Sequence, residues 1–407
     1  MTSSSTRHRT RRYTAAIAVT ATMALVAIGC GSSSKSTSSS DTQAKTTATA
    51  QAAIGTGEGQ LDIIAWAGYA ESGANDPSVN WVGKFETDSG CKVNVKVGNT
   101  SDEMVQLMQT GQYDGVSASG DASNRLIVAG DVSPVNTDLL TNYPDISPFL
   151  KMQPYNSVDG VAYGMPHGWG ANLLMWSPST VTPAPDSWSV VYDQNSPYKS
   201  KITAYNAPIT IADAAVYLKS SQPDLGIQNP YALNQDQFDA AVNLLKQQKS
   251  LIGEYWADYL KAATAFQTGS LVLGSGWQLN ANTANLDKPG SADTVLPKEG
   301  ATAWSDTWMI SSKAKHPNCM YMWMNYITTP EVQAQVAEYF GEAPANPKAC
   351  TLTTDPQHCT TFHATDADYA KKLYYWTTPT KKCVDGSGDD CVGFQDWTAA
   401  WNDITAS

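Results

Sequence analysis

The chain has 407 residues, long enough for two lobes that each bury a core. Its formal charge is −12, which argues against nucleic-acid binding. Thirteen Trp and nineteen Tyr stand against seven Phe, a bias towards aromatics that stack and hydrogen-bond at once.

Arg7, Arg9, Arg11 and Arg12 form a basic stretch, followed by an apolar run from Tyr13 to Ile28. That run is too short to span a bilayer and is followed by a polar tract, so residues 1–29 read as a secretory signal. Removing its four arginines takes the charge from −12 to about −16. Cys30, after Ala27-Ile28-Gly29, resembles the lipidation site of bacterial lipoproteins, with Ala where Leu is usual. An acylated Cys30 anchors the protein to the outer face of the cell membrane, and the protein is expected to be exported. Residues 30–60 are Ser, Thr, Ala, Gln and Gly with almost no large apolar group, a composition expected to give a flexible tether, with order beginning at Leu61.

Leu61 to Trp66 reads as a strand, and residues 78–89 as a helix with Trp81 and Phe85 on one face and Gly90 as its stop. Lys92 to Val97 alternates as a strand, and Ser101 caps a helix over Met104–Gln109. Gly115 to Ala118 is a third short strand, giving a β-α-β-α-β opening and a parallel α/β layer. Met165 to Gly170, holding His167 and Trp169, reads as a Gly/Trp loop. Helices are predicted over 213–219, 235–249, 259–268, 317–328 and 330–340, and a buried strand over 271–275. Val295-Leu296 leads into a turn at Pro297–Gly300 and then an alternating strand, Trp304 to Ile310. On that strand Trp304 and Asp306 share a face, an indole beside a carboxylate, the pairing a small cation needs. The competing reading is a core Trp beside a solvated Asp.

With Cys30 assigned to lipid, six cysteines remain: Cys91, Cys319, Cys350, Cys359, Cys383 and Cys391. An even count in an exported chain points to disulfides, of which six thiols allow about 15 connectivities. The short spacings favour Cys350–Cys359 and Cys383–Cys391, leaving Cys91–Cys319; a zinc site is the alternative. No His-Glu-x-x-His, Walker loop, Gly-x-Ser-x-Gly or dinucleotide fingerprint opens a catalytic reading, and no cofactor or metal site is expected. Two acids suffice for a glycosidase, so a secreted glycosidase remains a minor alternative. Trp66, Ser119 and Trp277 each follow a predicted strand, where ligands of open α/β sheets bind.

In order along the chain stand Ala65-Trp-Ala-Gly-Tyr69, Gly111-Gln-Tyr-Asp-Gly-Val-Ser-Ala-Ser119, Tyr163-Gly-Met-Pro-His-Gly-Trp-Gly170, Gly276-Trp277, Pro297-Lys-Glu-Gly300 with Trp304-Ser-Asp306, and Gly341-Glu-Ala-Pro-Ala-Asn346. This series resembles the bacterial spermidine/putrescine-binding proteins of ABC importers from about Leu61 to Asn346. The resemblance implies an α/β periplasmic-binding-protein fold of type II-like layout, with discontinuous lobes joined by a hinge. By its layout, lobe one is 61–170 plus 305–349 and lobe two is 171–304 plus 350–407, and no disulfide then opposes the hinge. It implies a monomeric, membrane-tethered binding protein, not an enzyme, that delivers a polyamine-like cation to an ABC permease. Carbohydrate is the alternative ligand, because the same aromatics stack sugar rings. Trp66, Tyr69, Trp277, Trp304 and Asp306 match the family's site residues, and Ser119 its hydroxyl contact. Asp121 and Glu342 stand where the family carries aromatics. The family's second-lobe acids fall near Asn206 to Asp213, and the tail from Cys350 has no counterpart.

Overall fold

The computed structural model describes residues 49–406 apart from Asn75; the signal sequence, Cys30 and most of the tether lie outside the described residues. Strands β1 (Gln60–Ala65), β2 (Lys92–Val97) and β3 (Gly115–Ser119) form in the predicted places. Between them run helices Val82–Ser89 and Ser101–Gln109. β1 pairs β2 and β3 in parallel, as β-α-β connections require. The cap of the second helix is Thr100, whose hydroxyl accepts from the Glu103 N–H, rather than Ser101. Ser101 instead donates to Asp121.

After a two-residue hairpin pair, β4 (Ser157–Val158) and β5 (Val161–Ala162), comes β6 (Met165–Ala171). This segment was expected to be a loop because of its glycines. It is a strand because those glycines admit neighbours: a Cβ on Gly168 would lie 2.1 Å from Glu342 Oε2, and one on Gly170 2.5 Å from Trp304 Cζ2.

A single residue, Asn172, separates β6 from β7 (Leu173–Trp176), which belongs to a second sheet. That sheet adds β8 (Ile202–Tyr205), β9 (Ile252–Trp256), β10 (Leu273–Gly276) and β11 (Asp293–Val295), in the order β11-β7-β10-β8-β9. The chain returns to the first sheet through β12 (Ala301–Ile310), buried along its whole length. β12 pairs antiparallel with β6 and β3, and its first residues pair in parallel with β14 (Leu373–Tyr375). With β13 (Ala343–Pro344) the first sheet has seven strands, in the order β13-β6-β12-β3-β1-β2, with β14 beside β12. Two sheets, each with helices packed on it, make the two-lobe fold.

Two further stretches differ from the sequence-based expectation. Order begins before Leu61: Gln51 and the Gly55 N–H bond Asn318 Oδ1, and Glu58 accepts from the N–H groups of Asn318 and Cys319. Glu58 thus satisfies free donors in the first turn of helix Pro317–Ile327 and places negative charge at its positive end. The second stretch is the tail. The Asp355 N–H donates to Glu338 and His358 Nε2 to the Glu342 carbonyl, so this part lies on the first sheet's side, against helix Pro330–Phe340, not with the second sheet as 350–407 was expected to. From Tyr374 on, the tail also reaches the second sheet's side, where Tyr231 donates to the Tyr374 carbonyl and the Val392 N–H to the Leu233 carbonyl. There Trp401 donates to Asn206, and Lys249 donates to the Thr405 carbonyl from the end of helix Gln235–Gln248.

Disulfides join Cys91 to Cys319, Cys350 to Cys359 and Cys383 to Cys391, which leaves none of these thiols for zinc. Among the described residues no helix is long and apolar enough to cross a membrane.

Candidate functional site

The central strand supplies the first acid. Asp306 is 2% exposed and sits opposite Ser119 in the β12–β3 register. Ser119 donates to Asp306 Oδ1, and Tyr69, in the loop after β1, donates to Oδ2 at 2.6 Å. The same phenol oxygen is 2.6 Å from Glu342 Oε2. A phenol has one proton, so two carboxylates cannot both receive it. The arrangement is satisfied when Glu342 is protonated and donates to Tyr69, which donates to Asp306.

The electrostatics agree with this count. Burial raises the Glu342 carboxyl well above the usual carboxylate range, against the lowering effect of the hydrogen bond with Tyr69, and repulsion from Asp306 adds to it. Burial likewise pushes Asp306 up to about 7, against the lowering effect of Ser119 and Tyr69 and with help from the Asp121 charge. The histidine beside Glu342 does not compensate. His167 Nε2 is 3.6 Å from Glu342 Oε1, but burial pushes the imidazole down to about 3, so it is neutral at ordinary pH. Its Nδ1 faces the Gln333 amide at 3.0 Å, which orients the ring. Glu342 Oε1 and His167 Nε2 have no hydrogen-bond partner.

Asp121 lies at the start of helix Gly120–Ala129, directly after β3. It is buried, accepts from Ser101 at 2.9 Å, and is pushed by burial up to about 6, with Ser101 and the Arg125 guanidinium opposing the rise. Among the described residues neither Asp306 nor Glu342 forms an ion pair with Lys or Arg.

The aromatic part adjoins these acids. Trp304 and Trp277 meet edge to face at 5.9 Å. Trp304 also meets Phe340 at 6.0 Å, and Trp277 meets Trp256 at 4.9 Å and Tyr205 at 5.8 Å. Tyr205 in turn stacks on Trp376 at 5.7 Å. Trp66 is half-buried at the end of β1, with its indole N–H unpaired. Trp169, a candidate by type, is instead core, packed edge to face on Phe149.

Tyr69, Ser119, Asp306 and Glu342 thus meet in one hydrogen-bonded cluster, with Asp121 close enough for its charge to act on Asp306. Trp277 and Trp304 form its aromatic neighbour. Sequence reasoning missed Asn172, Thr302 and Trp376. Trp376 had a usable signal, since it follows a strand end as Trp66 and Trp277 do. Asn172 and Thr302 had none. Asn172 accepts from the Trp277 indole at 2.8 Å and donates to Thr302 Oγ1 at 2.7 Å, and Thr302 donates to buried Asp213. Burial pushes that carboxyl up to about 7, against the Thr302 bond. Asp62, Asp114 and His316 also cluster, but Asp114 is occupied by the N–H groups of Asp62, Lys315 and His316 and by the His316 ring, a structural knot rather than an open site.

Residues 80–360 match the family of bacterial extracellular solute-binding proteins. The chain belongs to that family. This solute-binding protein is 25% identical over 263 residues to the spermidine/putrescine-binding periplasmic protein of Escherichia coli, spanning 63% of this chain and 71% of that one. It is 23% identical over 310 residues to the E. coli putrescine-binding periplasmic protein PotF, spanning 72% and 80%. The structure of the substrate-binding protein PotD of a spermidine/putrescine ABC transporter from Streptococcus pneumoniae superposes with a TM-score of 0.67 at 18% identity, covering 85% of this chain and 97% of that one. That of MotA from Agrobacterium tumefaciens, in complex with glucopine, gives 0.66 at 16% identity, covering 85% and 99%. The family is one of binding proteins for transport, not of enzymes.

Proposed function

We propose that this protein captures a small organic cation of the polyamine class between its two lobes and hands it to an ABC permease. The observation that carries the reading is the Asp306–Tyr69–Glu342 cluster, two buried carboxyls on one phenol with no cationic side chain of the described residues paired to them. Burying a charge without a partner is costly, and an alkylammonium supplies both charge and donors. Trp277 and Trp304 offer ring faces and apolar area to the methylenes, at roughly 0.5–2 kcal/mol for each cation–π contact. Relatives named for spermidine, putrescine and agmatine support the same class.

The site residues are Trp66, Tyr69, Ser119, Asp121, Trp277, Trp304, Asp306 and Glu342. Lobe one comprises 61–170 with about 301–375, and lobe two comprises 173–295 with the final helix, Phe394–Ala406. Cys30 carries the lipid that holds a monomer at the membrane surface, where the permease lies. Ligand binding favours the closed arrangement of the lobes, which the permease recognises.

Thermal shift with putrescine, spermidine, agmatine, choline and simple sugars tests the reading. An amine at ~100 times its dissociation constant stabilises by about 2.7 kcal/mol. A shift with a sugar and none with any amine overturns it in favour of a carbohydrate ligand.

A further inference from the structure

The tail segment from Cys350 borders the site. Cys350–Cys359 staples its start, and the His358 Nε2–H donates to the Glu342 carbonyl at 2.8 Å, fixing it to the strand end that carries a site acid. Past this anchor Phe362, His363 and Tyr369 turn towards the aromatic box. His363 stacks on Tyr369 with ring centroids 3.8 Å apart and planes 3° apart. His363 also has a φ of 54°, a left-handed conformation that costs a non-glycine residue and is held here by its surroundings.

Two spaces meet at this ring pair. The inner one is enclosed by Trp277, Trp304 and Gly170 on one side and by Phe362, His363 and Tyr369 on the other, and measures about 20 Å³, room for about one water. The outer one measures about 480 Å³, opens to solvent, and has Asp366, Asp368 and Lys372 among its lining. Leu173, Gln278, His363 and Tyr369 line both. They form the partition between the aromatic box and the outer cleft.

We propose that the disulfide-stapled tail segment is the end wall of the ligand chamber, and that the stacked His363 and Tyr369 rings limit ligand length, so that the protein selects a short diamine over longer polyamines. The proposal rests on the amine reading above. The inner space is smaller than a diamine, so binding requires the lobes to part; a ligand whose first ammonium sits at Asp306 and Glu342 then runs its methylenes past Trp304 and Trp277 and ends at this wall. Only a chain short enough to end there fits without displacing the ring pair. With the rings removed, the chamber joins the outer cleft, where a longer amine finds space.

The test is calorimetric titration of the full exported chain with putrescine, cadaverine, spermidine and spermine, before and after Tyr369→Ala and His363→Ala/Tyr369→Ala. The expected wild-type result is an affinity for putrescine at least about tenfold above that for spermidine. The variants are expected to close that gap by about tenfold, chiefly by gaining spermidine and spermine. Tyr369→Leu, which keeps apolar bulk in the packing, serves if the alanine variants do not melt cooperatively, and it is expected to close part of the gap. Equal wild-type affinity for putrescine and spermidine overturns the wall, and so does an unchanged ratio in folded variants. Absence of binding by every amine overturns the amine reading and this inference together, an outcome distinct from the other two.

Discussion

The backbone N–H of Asn172 donates to the Thr302 carbonyl at 2.9 Å, and the Asn172 side chain donates to the Thr302 hydroxyl at 2.7 Å. These two residues stand where the chain leaves the first sheet and just after it returns, so one doubly bonded pair ties both crossings. The free oxygen of the Asn172 amide receives the Trp277 indole N–H, which links the crossings to the aromatic box.

Asn172→Ala leaves the Trp277 N–H and the Thr302 hydroxyl short of a partner. The expected cost is about 1–3 kcal/mol of stability, measured by denaturant unfolding. Because Trp277 loses its fixed orientation, amine affinity should also fall, by about tenfold in calorimetry. A variant that unfolds earlier but binds with unaltered affinity sinks the link between crossing and site.

Asp306→Asn removes one charge and keeps the shape. Amine affinity is expected to fall by about a hundredfold or more, the cost of losing one buried charge partner. The ligand-free protein responds the other way. The folded Asp306 pKa of about 7 lies above the unfolded value near 3.8, so the folded state holds the extra proton between these two pH values. The stability contributed by that proton is present at low pH and is lost as pH rises towards 7. The Asn variant should therefore melt higher than wild type at pH 8, by on the order of 1–2 kcal/mol, and lose this advantage at pH 5. Scanning calorimetry at both pH values checks it, and a variant less stable than wild type at pH 8 contradicts it.

The same proton sets the pH dependence of binding. An ammonium favours the ionised carboxylate, so capture releases protons where Asp306 is still protonated. Affinity is expected to rise between pH 5.5 and pH 7.5, by up to about tenfold per pH unit for each proton released. Titrations in buffers of different ionisation enthalpy measure that release directly. A flat profile across this range excludes a titrating acid from the grip.

Tyr69→Phe deletes the hydroxyl that both carboxyls share. The expected loss is about 1–3 kcal/mol of stability, larger at pH 8 than at pH 5, because an ionised Asp306 needs the donor more than a protonated one. Equal loss at both pH values in urea unfolding would assign the phenol a packing role alone.

Gly168→Ala tests the close approach in β6. The added Cβ lies 2.1 Å from a Glu342 oxygen, so the carboxylate must move. The expected outcome is a folded protein, destabilised by about 1–3 kcal/mol, that has lost most of its amine affinity. Unchanged affinity places Glu342 outside the grip.

Much of the fold was legible in local pattern. The opening β-α-β-α-β follows from alternating strands and capped helices, and the strand from Trp304 to Ile310 from its period of two. β6 was not legible, because Pro166, Gly168 and Gly170 signal a loop to any local rule. Only Glu342 and Trp304, far away in sequence, explain why glycine is needed in that strand. Nor did composition mark off Gln51 to Glu58, which bond helix Pro317–Ile327, within the run 30–60 that reads as a tether. Glu58 is one acid in a Gly-rich run until helix Pro317–Ile327 brings its first turn to it. Within the site, strand-end position singled out Trp66 and Trp277. The sharing of Tyr69 by Asp306 and Glu342 joins residues more than 230 positions apart and left no mark in the sequence.

The Cys91–Cys319 bond joins residues 228 positions apart, and every strand of the second sheet lies inside the covalent ring it closes. A protease that nicks the chain anywhere within that ring leaves one molecule, since the two pieces stay linked until the bond is reduced. The same closure makes residues 173–295 a cassette. Its removal or exchange leaves the two halves of its host joined, so the second lobe can be replaced by a relative's while the rest of the protein remains a single covalent piece.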